Sequence, residues 1–493
     1  MKENLFKIAK RTVSATLAVT MLCAMLSGCK KTIRISSEID GTGESEYIID
    51  WSEDTVSDSS VLNSNAALSG SNQKNGSSSS SSAGPALTPK TDYDVYANIP
   101  KNVKKIKILT WYTPDRNEKK VIDAFEKKFG IEVKITSTDT ASYLNKLTTL
   151  VASNDAPDAA GFFRFPTPAV KNLFETINVA TSDKGGAINL EKDIAYDKSA
   201  MESQSWKGNY YAVQLKGNWF ADRPVTIYNK TLFKNKGIED PGSLMASGKW
   251  NWTTFEAAAK AMTYKNEGIQ IYGCGSTDLE FVTMLSATTG TNMVSFNNAS
   301  GTIINNTQNP QFIKGIEFVT RLRSSGYCIP RGSDWHMFTN GQCAMWITGA
   351  SQVKKGREFD SMSDEWSATF VPCPEGQKIV IPYYNVSWGF PLGAKNPVAA
   401  SYFVRWLLDS SNWDIRATFS SDEMYNNWLA QQNSDYQTCM WNIGPFLSIS
   451  PGLSDSLVTI TWGNINDVST GLKSISGSVD NAIASTVNQI KVK

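Results

Sequence analysis

From Lys105 the chain alternates: Ile106, Ile108 and Thr110 fall on one side of an extended segment, Lys105, Lys107 and Leu109 on the other, and Trp111-Tyr112 closes it. This period of two predicts a strand. Val121, Ile122, Phe125 and Phe129 then recur at helical spacing, with Thr113-Pro114 placed to open the helix and Gly130 to stop it. Ile131, Val133 and Ile135 alternate again, so the segment reads as a βαβ unit, whose crossover is right-handed in nearly all cases. A second helical face carries Tyr143, Leu144, Leu147 and Val151, and Asn154-Asp155-Ala156-Pro157-Asp158 leads into a small-residue strand ending at Phe162-Phe163. Elements alternating in this way predict an α/β lobe. Further along, Thr253 and Glu256 have the spacing of a capping box ahead of Phe255, Ala259 and Met262. Asn396-Pro397 starts a helix with Ala400, Phe403, Val404 and Leu407 on one side, and Val479, Ile483, Val487 and Ile490 mark a terminal amphipathic helix.

The first residues follow a different pattern. Lys2, Lys7, Lys10 and Arg11 precede an apolar run from Val13 to Leu26, shorter than the roughly 20 residues of a membrane span and charged on one flank, as in an export signal. Leu26-Ser27-Gly28-Cys29 resembles the bacterial lipobox, which implies that residues 1–28 are a signal peptide and that Cys29 carries acyl chains; two chains anchor stably where one does not. An ordinary cleaved signal containing Cys29 is the alternative. Residues 29–100 hold few large apolar side chains, and Ser77 to Ser82 is an unbroken serine run. Such a segment buries too little apolar surface to offset its ordering entropy, so a disordered tether with a reach on the order of 45 Å is expected. Only Tyr47-Ile48-Ile49 and Trp51 hint at a strand.

With 41% hydrophobic and 19% charged residues the remainder is ordinary globular chemistry, long enough for two cores. Lys plus Arg number 48 against 47 Asp plus Glu, which gives no broad positive field and argues against nucleic acid as a partner. Of seven cysteines, Cys23 and Cys29 belong to the leader; Cys274, Cys328, Cys343, Cys373 and Cys439 are scattered, form no C-x-x-C pair, and read as buried free thiols. His336 is the one histidine, and neither a metal pair nor a G-x-S-x-G motif is present. No EF-hand spacing occurs, and no cofactor or metal is expected. A glycoside hydrolase needs only two carboxylates about 5 to 9.5 Å apart, so a surface glycan-active enzyme stays open as an alternative.

Several motifs occur in a shared order: Pro157-Asp158 before a strand, Trp206-Lys207-Gly208-Asn209-Tyr210-Tyr211-Ala212-Val213, Ile227-Tyr228-Asn229-Lys230-Thr231-Leu232-Phe233 followed by Gly237-Ile238, Trp252-Thr253-Thr254-Phe255-Glu256, Phe338-Thr339-Asn340-Gly341-Gln342-Cys343-Ala344-Met345, and Gly393-Ala394-Lys395-Asn396-Pro397. In this order they resemble the extracellular solute-binding proteins of ABC importers, family 1, which includes maltose- and oligosaccharide-binding proteins. The resemblance implies a two-lobed, periplasmic-binding-protein-like α/β fold, each lobe a sheet flanked by helices, with several hinge crossovers. Lobe 1 is expected over residues 101–225 and 370–415, and lobe 2 over 226–369 and 416–493. It also implies a non-enzymatic monomer on the outer face of the cytoplasmic membrane of a Gram-positive-type cell, handing a carbohydrate to permease subunits. A sensory receptor coupled to a signalling partner is the other use of such a clamp.

A sugar ring has an apolar C–H face and a hydroxyl edge, so its receptor needs flat aromatic side chains with polar groups around them. The chain has 15 Trp, 17 Tyr and 21 Phe. Trp111 and Tyr112 follow the first strand, where members of the family place binding residues. Phe162 falls where maltose-binding relatives carry a stacking tryptophan, Asp222 matches an acidic ligand-binding position in them, and Ser351 stands where they have an aromatic. Asp155, Asp158 and Arg164 offer charged hydrogen bonds, although Asp158 reads equally well as a cap on local backbone. Trp219, Trp335 and Trp388 are further aromatic candidates in loops, and Tyr383, just past the second expected crossover, would line the rim.

Overall fold

The computed structural model describes residues 33–39, 45–51, 87–162, 173–202, 204–217, 223–297, 299–383, 386–432, 436–440 and 452–489. The expected signal, Cys29, Arg164, Trp219 and Asp222 lie outside the described residues. The chain divides into two compact units, Met1–Ser80 and Ser81–Lys493.

The first unit contains an antiparallel hairpin, Ile33–Ile39 with Ser45–Trp51, in which Ile33 faces Trp51 and Ile39 faces Ser45. The strand hinted at by Tyr47 to Trp51 is thus joined by a partner, and part of the expected tether carries regular structure. Both strands are rich in isoleucine, which favours the extended backbone.

The second unit is a mixed α/β body with two five-stranded sheets. In the first sheet Lys105–Thr110 runs parallel to Glu132–Ser137 on one side and Ala159–Phe162 on the other; Ser387–Gly389 continues it antiparallel, and Ala212–Val213 forms the far edge. In the second sheet Ile269–Gly275 and Cys343–Gly349 are parallel, and Pro224–Asn229 lies antiparallel between Cys343–Gly349 and Trp366–Phe370. The hairpin strand Tyr264–Asn266 closes the other edge. The chain therefore leaves the first sheet after Val213, spends five strands and their connections in the second, and returns at Ser387. Helix Pro397–Leu408 then packs in the core of the first sheet, while Ile415, Phe419 and Trp428 pack with Val225, Ile227 and Trp346 of the second.

Local chemistry accounts for the ends of these elements. Helix Arg116–Phe129 starts at Asp115, whose carboxylate accepts the Asn117 and Glu118 N–H groups, and stops at Gly130 with φ 67°, a left-handed conformation glycine adopts without strain. Asn229 caps helix Lys230–Lys236 by accepting the Leu232 N–H at 2.9 Å. The expected capping box sits two residues earlier: Asn251 Oδ1 accepts the Thr254 N–H at 3.0 Å and Thr254 Oγ1 accepts the Asn251 N–H at 3.0 Å, while Glu256 pairs with Arg321.

The folded body also begins before Lys101. Thr88 is buried and hydrogen-bonded to Ser410 and Lys216, and Tyr96 stacks on Phe129 with centroids 5.0 Å apart. Residues 87–100, expected to be tether, are instead a strap bound to the body by its aromatic and hydroxyl side chains. No helix among the described residues is long and apolar enough to cross a membrane.

Candidate binding site

The carboxyl ends of parallel strands are where open α/β sheets bind ligands, because the chain leaves the sheet there in loops and helix starts. At that edge of the first sheet Lys105–Thr110 runs into Trp111-Tyr112. Trp111 is half-buried and lies across the Gly161 backbone: a Cβ on Gly161 would fall 2.0 Å from the Trp111 ring. Among the described residues it also meets two rings edge-on, Tyr143 at 5.9 Å and Tyr112 at 5.2 Å. Tyr143 is itself fixed by a hydrogen bond from its hydroxyl to the Gly161 carbonyl. The Tyr112 hydroxyl donates to Glu118 Oε1 at 2.7 Å. Burial raises the Glu118 carboxyl to about 7, with Asp115 adding to the rise and the Tyr112 hydrogen bond and Lys354 opposing it.

At the corresponding edge of the second sheet Cys343–Gly349 runs into the turn Ala350–Val353, which carries Ser351. The antiparallel strand Pro224–Asn229 begins at the same edge, and the Ala350 N–H donates to the Arg223 carbonyl at 2.9 Å. The Arg223 guanidinium donates to Gln432 Oε1, and its Nε has no hydrogen-bond partner among the described residues. Burial lowers it to about 10, against the favourable fields of Asp197 and Tyr383. Lys354 from this edge acts electrostatically on Glu118 from the first, and Asp197 from the first sheet's side acts on Arg223, so charged groups of the two edges lie within electrostatic reach of each other; the region between the edges is the seam.

Of the sequence candidates, Trp111 and Tyr112 follow the first of these strand ends, Ser351 follows the second, and Tyr383 acts electrostatically on Arg223. Others lie elsewhere. Phe162 ends a strand at the right edge, but its ring is buried against Phe174, centroids 5.1 Å apart. Trp388 is fully buried in the middle of the first sheet, opposite Gly161 and Val213, where strands flank it on both sides. Asp158 is at the amino end of its strand, where its carboxylate accepts the Lys107 N–H at 2.8 Å and the Asn396 N–H at 2.6 Å; it caps backbone, the second of its two readings. Asp155 pairs with the Lys107 ammonium, whose hydrogen bond and charge lower its carboxyl. Trp335 stacks on His336 at 3.8 Å, beside the short helix His336–Thr339 that leads into the amino end of Cys343–Gly349, the edge away from Ser351. Sequence reasoning missed Arg223, Glu118, Lys354 and Gln432; the one available signal was a charged Arg223 immediately before an all-apolar strand start. Among the described residues no cluster of three His, Cys, Asp or Glu side chains is placed to hold a metal ion.

The family model described as bacterial extracellular solute-binding protein matches residues 120–421. The chain belongs to this family. No curated protein matches it. Among solved structures, an extracellular solute-binding protein from Staphylococcus aureus in complex with maltose superposes with TM-score 0.55 at 14% identity, over 78% of this chain and 98% of that one. The cyclic α-maltosyl-1,6-maltose binding protein from Arthrobacter globiformis gives 0.54 at 15% identity, over 79% and 98%. An ABC substrate-binding protein from Listeria monocytogenes in complex with cycloalternan gives 0.50 at 19% identity, over 79% and 98%. At these identities the likeness is one of fold: the solute-binding fold of two lobes, each a sheet with flanking helices.

Proposed function

We propose that this solute-binding protein captures an oligosaccharide in the seam between its sheets and delivers it to an ABC permease, while acyl chains on Cys29 hold it on the outer face of the cytoplasmic membrane. What supports the reading is a partly exposed Trp111, seated on Gly161 at the carboxyl end of one strand, together with the polar group of Arg223, Ser351 and Gln432 at the strand edge of the second sheet. A sugar would lay its C–H face on the indole and turn its hydroxyls to the guanidinium and amide. Maltose and cycloalternan, the ligands of two of the related structures, have this two-sided chemistry. Closure of the lobes is then driven only by a ligand that contacts the closed form better than the open one. Tyr383 and Ser351 are the further contacts we assign.

Thermal shift against a panel of mono-, linear and cyclic oligosaccharides tests the binding reading, because a ligand of the native state raises apparent stability by mass action. A saturable rise with at least one oligosaccharide is expected. No response across the panel, or turnover of a glycan by the purified chain, removes the proposal. For the anchor, Cys29→Ser is expected to move the protein from the membrane fraction to the medium.

A further inference from the structure

Two cysteines that the binding reading does not use lie side by side in the second sheet. Cys274, next to last in Ile269–Gly275, forms a parallel bridge with Cys328, which follows helix Pro310–Ser324. The Cys274 N–H donates to the Tyr327 carbonyl at 3.1 Å and the Ile329 N–H donates to the Cys274 carbonyl at 3.1 Å, so the two backbones are held in register on either side of the pair. The Sγ atoms are 3.6 Å apart and unbonded, and both residues are buried. We propose that Cys274 and Cys328 are joined by a disulfide in the exported protein.

Bonded sulfurs stand about 2.05 Å apart, so small side-chain rotations close the gap while the bridge keeps the backbones in place. The family acts outside the cytoplasm, where disulfides form and persist. Cys343 starts the adjacent strand, but its thiol donates to the Met345 carbonyl at 3.1 Å and is turned to its own strand. Cys373 is held similarly at the Val380 backbone. The chemistry is thiol–disulfide exchange with the disulfide of an extracytoplasmic oxidoreductase. One cysteine thiolate attacks that disulfide, forming a mixed disulfide and releasing one oxidant thiolate. The second cysteine thiolate then attacks the protein sulfur of the mixed disulfide and releases the other. Two electrons pass to the oxidant and two thiol protons are lost from the protein. Burial holds the folded Cys274 thiol well above its ordinary range, which leaves little thiolate to react once the body is packed. Oxidation therefore belongs to folding outside the membrane, and the bond closes a loop between positions 54 apart that contains helices Asp278–Ser286 and Pro310–Ser324.

The test is peptide mapping of the full chain, expressed with its own leader, alkylated at harvest without reductant and analysed by mass spectrometry. A Cys274–Cys328 cross-linked peptide pair, lighter by two hydrogens than the sum of its thiol forms, is expected. Reduction should lower Tm by about 5 °C, and C274A/C328A should lose this response to reductant. Both cysteines alkylated in the exported chain, or either one cross-linked to Cys343, overturns the proposal. The mapping needs no variant, so a double mutant that fails to fold does not blunt it.

Discussion

Thr88 and Ser410, 322 positions apart, hydrogen-bond each other in both directions: the Thr88 N–H donates to Ser410 Oγ at 2.8 Å, and the Ser410 N–H donates to Thr88 Oγ1 at 3.0 Å. The Thr88 hydroxyl proton goes to the Lys216 carbonyl at 2.9 Å. One buried side chain thus joins the strap to the segment that follows the last strand of the first sheet's first half and to the segment that follows helix Pro397–Leu408. Thr88→Val keeps the shape, leaves the buried Ser410 amide without this partner and removes the hydrogen bond to the Lys216 carbonyl. A loss of about 2 kcal/mol is expected, read as a lower midpoint in urea unfolding at unchanged slope.

Arg405 and Asp193 make a second long-range tie, with Nε to Oδ2 at 3.0 Å and both side chains almost wholly buried. Asp193 also accepts the Ala195 N–H at 2.9 Å, and Arg405 reaches Asp409 at 2.8 Å. Asp193→Asn leaves the guanidinium with one carboxylate in a dry setting, so a loss of about 3 kcal/mol is expected. Because the pair is buried, that loss should be the same at low and high salt in urea unfolding; a loss that shrinks as salt is added would place the pair at the surface.

Periodicity made the first sheet legible, since Lys105–Thr110, helix Arg116–Phe129 and Glu132–Ser137 fall where alternation and helical spacing put them. The Gly130 stop was readable because a left-handed residue after an apolar face has few alternatives to glycine. The site was legible only in part. Trp388 sits in the three-residue strand Ser387–Gly389, too short for any period to register, so its aromatic character suggested a loop platform where pairing on both sides makes it core. Phe162 shares its strand with Ala159, Ala160 and Gly161, all buried, so no polar alternation revealed which way its ring turns. Arg223 gains its meaning from Gln432 and the turn at Ala350, contacts distant in sequence that no local pattern records.

Glu118 gives a pH signature. Its carboxyl lies at about 7 in the folded protein against an ordinary 4.5, raised chiefly by burial. Between those values the folded chain holds a proton that the unfolded chain has released, so stability falls as pH rises from 4.5 to 7 and is level above. The contribution is on the order of 3 kcal/mol. Glu118→Gln has no proton to lose, and the stability difference between wild type and variant should change by that amount across the window. Urea unfolding at four pH values measures it, and a difference independent of pH would show that the carboxyl titrates normally.

Gly161 offers a way to test the Trp111 platform without removing it. The indole occupies the space a Cβ would take, 2.0 Å from its Cζ3 atom, and the same glycine's carbonyl accepts the Tyr143 hydroxyl that packs edge-on to the indole. Gly161→Ala therefore pushes the ring off its seat while keeping the indole in the chain. If a sugar stacks on the indole, Gly161→Ala should weaken its binding about tenfold, and Trp111→Ala by about tenfold to a hundredfold, the loss of one aromatic anchor. The two changes act through one ring, so the double variant should lose no more than Trp111→Ala alone. Calorimetric titration of the three variants with the best oligosaccharide of the panel measures this cycle. Additive losses would mean that Gly161 acts on the ligand by another route, and unchanged affinity in Trp111→Ala would move the stacking surface away from this strand end.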